Sequence, residues 1–82
     1  MVEGEIEGIF LHDMQVPDIR EAWEIERASF TAPWSETSFF NEVMKPGSMA
    51  RVARISGRVA GYICAGRVLD EGVTLHRGAC AE

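Results

Sequence analysis

No two Lys or Arg stand side by side in this sequence, no uncharged apolar stretch is long enough to cross a bilayer, and only two cysteines are present. Each shortage excludes something. The eight Lys and Arg are scattered and the formal net charge is −5, so no basic stripe exists to neutralise phosphates, and nucleic acid is excluded as the expected partner. The longest uncharged apolar run, Val59 to Gly66, is too short for a membrane span, and Met1-Val2-Glu3-Gly4-Glu5 lacks the positive start of a signal peptide. The expected location is therefore the cytoplasm, with no membrane partner. Cys64 and Cys80 form neither a disulfide framework nor a zinc-ligand spacing and read as free thiols. His12 and His76 lie far apart without a pairing carboxylate pattern, so no metal is expected.

What is present is an ordinary globular composition. Apolar residues make up 46% of the 82 and charged residues 26%, well away from the signature of disorder. A chain of this size supports one domain, expected over residues 1–82, with a small core because it buries only roughly 60% of its unfolded surface.

The pattern along the chain predicts an α/β (α+β) order of strand, helix, helix, strand, strand and one further strand stub. Gly8-Ile9-Phe10-Leu11 before the polar His12-Asp13 suits a first strand, preceded by an acidic, solvated lead-in from Glu3 to Glu7. Pro17 fits the first helical position, and Asp18 and Glu21 favour the first turn of a helix running to about Phe30. Ile19, Ala22, Trp23 and Phe30 share its apolar face, and Glu26 falls among them. Pro33 forces a loop. Ser35 then caps a second helix, with Trp34 and Phe39 at the two positions of a hydrophobic staple and Lys45-Pro46-Gly47 as the stop. Met49 to Ile55 and Val59 to Leu69 read as antiparallel strands joined at Ser56-Gly57-Arg58. Gly61 and Gly66 inside the second strand point to a bulge or a close backbone approach. Asp70-Glu71-Gly72 reads as a turn, and Val73-Thr74-Leu75 opens the stub. From His76 the periodicity dissolves, so residues 73–82 are expected to be a non-native or disordered tail.

Three strings in this order resemble the N-terminal half of bacterial ribosomal-protein-alanine N-acetyltransferases and their relatives in the GNAT superfamily. They are Glu24-Ile25-Glu26-Arg27-Ala28-Ser29-Phe30, Pro33-Trp34-Ser35-Glu36 with Ser38-Phe39, and Gly57-Arg58-Val59-Ala60-Gly61-Tyr62 continuing to Val68-Leu69-Asp70-Glu71. The resemblance implies a partial GNAT-like fold, a mainly antiparallel sheet with two helices. It also implies an acyltransferase that moves an acetyl group from acetyl-CoA to the N-terminal amine of a protein, in the nearest relatives a ribosomal protein. The family's Arg/Gln-x-x-Gly-x-Gly/Ala loop, whose backbone holds the CoA pyrophosphate at a helix N-terminus, has no counterpart here. Arg77-Gly78-Ala79-Cys80 lacks its second glycine. The family's acid/base residues lie beyond the matched region, so no catalytic residue is carried over. The expectation is a truncated fragment that binds no acetyl-CoA and is inactive alone.

The candidate substrate-binding residues are Glu26, Pro33 and Trp34. A carboxylate on an apolar helix face needs a donor or an opening, so Glu26 either bonds a backbone amide or an arginine, or lines the amine site. Pro33 and Trp34 either wall the acceptor groove or serve the staple. Tyr62 reads as a core or cross-strand aromatic, and Cys64, between Ile63 and Ala65, as a small core residue. A second reading is a non-catalytic module that forms a homodimer through an unpaired edge of the Val59 to Leu69 strand.

Overall fold

The computed structural model describes residues 4–6, 8–68 and 72–81. They form one antiparallel sheet of five strands in chain order: β1 (Gly4–Ile6), β2 (Ile9–Asp13), β3 (Ser48–Ile55), β4 (Arg58–Val68) and β5 (Gly72–Cys80). Between β2 and β3 the chain leaves the sheet to form α1 (Ile19–Ser29) and α2 (Glu36–Met44). The expected order is present, with β1 added before the first expected strand. That strand runs two residues further than its apolar stretch, because Asp13 pairs with Arg51 in the ladder and their side chains form an ion pair of 2.6 Å.

Local chemistry sets both helices. A 3-10 turn at Val16–Asp18 carries Pro17 into α1, and the Asp18 carboxylate accepts from the Gln15 N–H at 2.8 Å. Ile19, Ala22, Ile25 and Glu26 are the buried side of α1. At the start of α2 the Ser35 hydroxyl accepts from the Ser38 N–H at 3.1 Å, and the Trp34 and Phe39 rings meet edge to face at 5.5 Å. The staple is thus formed. Both helices pack on the sheet face bearing Ala50, Val52, Tyr62 and Cys64, whose cross-strand pairs are Ala50 with Cys64 and Val52 with Tyr62.

Two register shifts decide which residues reach that face. In β4 the ladder passes from Gly61 to Val59, leaving Ala60 as the extra residue, so Val59 and Tyr62 both enter the core although they are three apart. In β5 it passes from Arg77 to Leu75, leaving His76 as the extra residue. A Cβ on Gly66 would lie 2.8 Å from the His76 ring, and one on Gly61 would lie 3.1 Å from the Ala79 carbonyl oxygen. The two glycines therefore mark a close approach, and β4 and β5 each carry a bulge.

Two expectations are corrected. Over residues 73–80 the expected disordered tail is instead a strand, since Gly72–Cys80 pairs with β4 along nearly its whole length. The bulge at His76 breaks the period-2 alternation, and small residues at 78–80 fit against Ile63, Tyr62 and Gly61, which is why no apolar pattern shows. Nor does the Val59 to Leu69 strand expose an edge: β3 and β5 flank it, and β5 is the outer strand on that side of the sheet. The expected turn at Asp70-Glu71-Gly72 falls largely outside the described residues.

The β3–β4 connection is a two-residue turn with Ser56 at φ 53° and Gly57 at φ 80°, the left-handed pair that matches strand twist. Serine is poorly suited to that conformation and asparagine is better suited. Ser56→Asn is expected to stabilise the chain by about 0.5 kcal/mol, seen as a raised urea midpoint with an unchanged slope.

Candidate functional site

The loop between α1 and α2 is held from beneath by a buried carboxylate. Glu26 is 0% exposed, and three hydrogen-bond donors from three parts of the chain converge on it. The Trp34 N–H reaches Oε2 at 2.8 Å, the Tyr62 hydroxyl reaches Oε1, and Arg77 places Nε and Nη2 at 2.8 and 2.7 Å from Oε2. Arg77 comes from β5, and the bulge before it turns it toward the helices. Its guanidinium lies 3.9 Å from the Phe30 ring centroid and 5.6 Å from that of Trp34, while Nη2 donates to the Ala32 carbonyl at 3.0 Å. One cation thereby joins the helix, the loop and the outer strand.

The electrostatics follow from these contacts. Burial alone would raise the Glu26 pKa, but the hydrogen bonds from Arg77, Tyr62 and Trp34 and the charge of Arg77 outweigh it, so the carboxyl stays below its ordinary value of 4.5. The Tyr62 hydroxyl is pushed up by burial and by its bond to Glu26, and it stays protonated as the donor. Arg77 is raised, chiefly by its hydrogen bond to Glu26. A carboxylate with both oxygens engaged has no capacity to take a proton from an amine near neutral pH. Its work here is to fix the loop.

The candidate residues are placed together. Glu26 lies beneath the loop, Trp34 is half-buried over it, and Pro33 is exposed at its surface. Trp34 serves the staple through its ring and Glu26 through its backbone. Arg77 was missed by sequence reasoning because it lies where periodicity is lost. The only signal for it was the demand of Glu26 for a cation, and seven arginines could have met that demand.

Other polar clusters bind elements to one another. Arg54 bonds Asp18 at 2.5 Å, Glu21 at 3.1 Å and the Gly57 carbonyl at 2.6 Å, while Glu21 also accepts from the Val59 N–H at 3.0 Å, tying the start of α1 to the β3–β4 hairpin. The hydrogen bond to Asp18 is the main cause of the raised Arg54 pKa. Glu42 accepts from the Ser48 hydroxyl at 2.9 Å and lies 3.4 Å from His76 Nδ1. Cys64 is fully buried and its thiol is pushed up to about 12, first by burial and then by Glu42 and Glu26, which suits a packing role and not a nucleophile. Among the described residues, no group of three or more His, Cys, Asp or Glu could hold a metal ion.

Neither helix start is arranged for phosphate. Asp18 and Glu21 occupy the beginning of α1, and at α2 Ser35 takes the Ser38 N–H and Glu36 adds negative charge. Helix N-termini bind anions through free N–H groups, and carboxylates here compete with or repel them.

No protein-family model matches the chain. Over 62 residues, 74% of its length, it is 36% identical to a Bacillus subtilis (strain 168) protein provisionally named ribosomal protein bS18-alanine N-acetyltransferase. In fold it is similar to the crystal structure of the ribosomal-protein-S18-alanine N-acetyltransferase from Escherichia coli, with a TM-score of 0.76 and 25% identity over 88% of this chain. The matched stretches are 41% and 45% of those two proteins, so the chain spans less than half the length of either.

Proposed function

From a chain similar in sequence and fold to the N-terminal half of GNAT N-acetyltransferases, we propose a part in acetyl transfer from acetyl-CoA to a protein N-terminal amine. The acceptor class is that of the relatives, the N-terminal alanine of a ribosomal protein. The single observation that carries this reading is the agreement of sequence and fold with two proteins of that name over most of this chain.

The chain's contribution is the acceptor side of the site. Pro33 and the outward part of Trp34 form a wall against which the acceptor peptide lies. Glu26 and Arg77 act as positioning residues that hold this wall and touch no reacting atom. The attacking amine must be neutral, and a base or water must take its proton as the new bond forms. Glu26, ionised and saturated with donors, is not that base. With no Arg/Gln-x-x-Gly-x-Gly loop in the sequence and carboxylates at both helix starts, the chain alone lacks the phosphate cradle and is inactive by itself.

The test is thermal unfolding with and without acetyl-CoA. A ligand that binds only the folded state would add about 2.7 kcal/mol at a hundredfold excess over its dissociation constant. The expected result is an unchanged midpoint and no acetylation of an alanine-initiated peptide. A clear rise would mean that the chain holds a working cofactor pocket.

A further inference from the structure

One face of the sheet is covered by α1 and α2, and among the described residues nothing covers the other. The register sets that second face out in rows across the strands, with Leu11, Ala53 and Gly61 in one and Arg51, Ile63 and Gly78 in the next. The small residues leave a hollow of about 500 Å3. Leu75, further along β5, stands at its margin and is 64% exposed, with Ile63 at 44% and Leu11 at 37%. The face thus carries both a socket and apolar side chains of a size to enter one. Arg51 and Asp13 at its margin are paired with each other at 2.6 Å.

An apolar sheet face is stable in water only when another layer covers it, and two sheets pack face to face about 10 Å apart. We propose that the covering layer is a second copy of this chain, related by a two-fold axis, with the two sheets inside and the helices outside. Area, shape and charge all suit it. Five strands of 3 to 11 residues, spaced about 4.8 Å with a rise of about 3.3 Å per residue, present on the order of 600 Å2 in plan. Two such faces bury on the order of 1,200 Å2, which reaches the range of specific interfaces. A two-fold axis sets Leu75 of each copy against the hollow of the other, so socket and side chain are exchanged reciprocally. The net charge of −5 does not oppose the pairing, because the carboxylates from Asp18 to Glu42 all stand in the helical turns of the covered side. In the dimer those of the two copies lie on opposite outer layers, about 30 Å apart at about 10 Å per layer, far beyond a screening length of about 8 Å. The dimer follows from the sheet alone and is independent of acetyl transfer.

Sedimentation equilibrium of the full chain over a dilution series tests this, with a species of twice 9.1 kDa expected at the concentrated end. Cys80 supplies a second readout, since it lines the hollow and is exposed in the single chain, whereas Cys64 is buried. Its alkylation by N-ethylmaleimide should slow about tenfold as the dimer forms. Ile63 lies on β4, between β3 and β5, and so belongs to the face and to no edge. Ile63→Asp sets an unpaired carboxylate from each copy in the interface and should weaken dimerisation about a hundredfold, while Glu24→Gln on the exposed side of α1 should leave it unchanged. A monomer at every concentration would overturn the proposal and leave the face to a partner of another kind. A dimer that survives Ile63→Asp, or whose Cys80 stays as reactive as in the monomer, would be joined elsewhere and would overturn it too. If Ile63→Asp does not fold, the concentration dependence of Cys80 alkylation in the parent chain decides alone.

Discussion

Glu26→Ala is expected to destabilise the folded chain by about 3–5 kcal/mol, the usual cost of removing one member of a buried ion pair. A domain of this size has only about 4–12 kcal/mol in all, so the variant should be partly or wholly unfolded at room temperature. The loss is large because the carboxylate serves three donors at once. Without it the Trp34 N–H and the Tyr62 hydroxyl lose their acceptor, and the Arg77 guanidinium stays between aromatic rings with no counter-charge. Tyr62→Phe removes one donor and keeps the ring, and it should cost only about 1 kcal/mol. Urea unfolding followed by the fluorescence of Trp23 and Trp34 gives both values. A Glu26→Ala unfolding free energy within about 1 kcal/mol of the parent would show that the network carries little of the stability.

The same contacts set a pH dependence. The Glu26 pKa is depressed in the folded chain relative to its ordinary value of 4.5, so the unfolded chain binds more protons in the acid range. The resulting stabilisation is complete above pH 4.5 and is lost as pH falls below it through the folded-state pKa. Glu26→Gln has no such proton to bind. Its stability should fall less steeply than that of the parent below pH 4.5, and the two curves should run parallel above it.

How far the sequence discloses this arrangement depends on the range of the interactions involved. The α2 start was legible because Ser35, Trp34 and Phe39 act within one turn of helix, and the β3–β4 turn because Ser56-Gly57 is a local backbone device. Glu26 announced itself as a carboxylate out of place, with its need for a partner. Its cation was hidden: Arg77 is 51 residues away in sequence and reaches Glu26 only because His76 is bulged out of the ladder. The same bulge conceals β5. A period-2 pattern shifts phase there, and the residues beyond it are small because Tyr62 and Ile63 lie close. The lost alternation that suggested a tail is the mark of a bulged strand fitted to its neighbour.

Phe39→Ala should cost about 3–5 kcal/mol, as for other fully buried aromatics cut back to alanine. Phe39 is 0% exposed and stands between two rings, edge to face with Trp34 at 5.5 Å and with Tyr62 at 5.2 Å. Its removal leaves a cavity at the point where α2 meets the sheet, and it frees both aromatics that also serve Glu26. The effect on the loop should therefore exceed that of lost area alone. In a double-mutant cycle, Phe39→Ala and Tyr62→Phe should be non-additive by at least 0.5 kcal/mol, as is usual for residues in contact. The neighbouring Phe40→Ala supplies the contrast: that ring is 44% exposed, and its removal should change stability by no more than about 0.5 kcal/mol. Thermal and urea unfolding of the pair measure the difference. Equal losses at 39 and 40 would mean that the core does not close around Phe39, and the support of the Pro33–Trp34 wall would have to be sought in Glu26 and Arg77 alone.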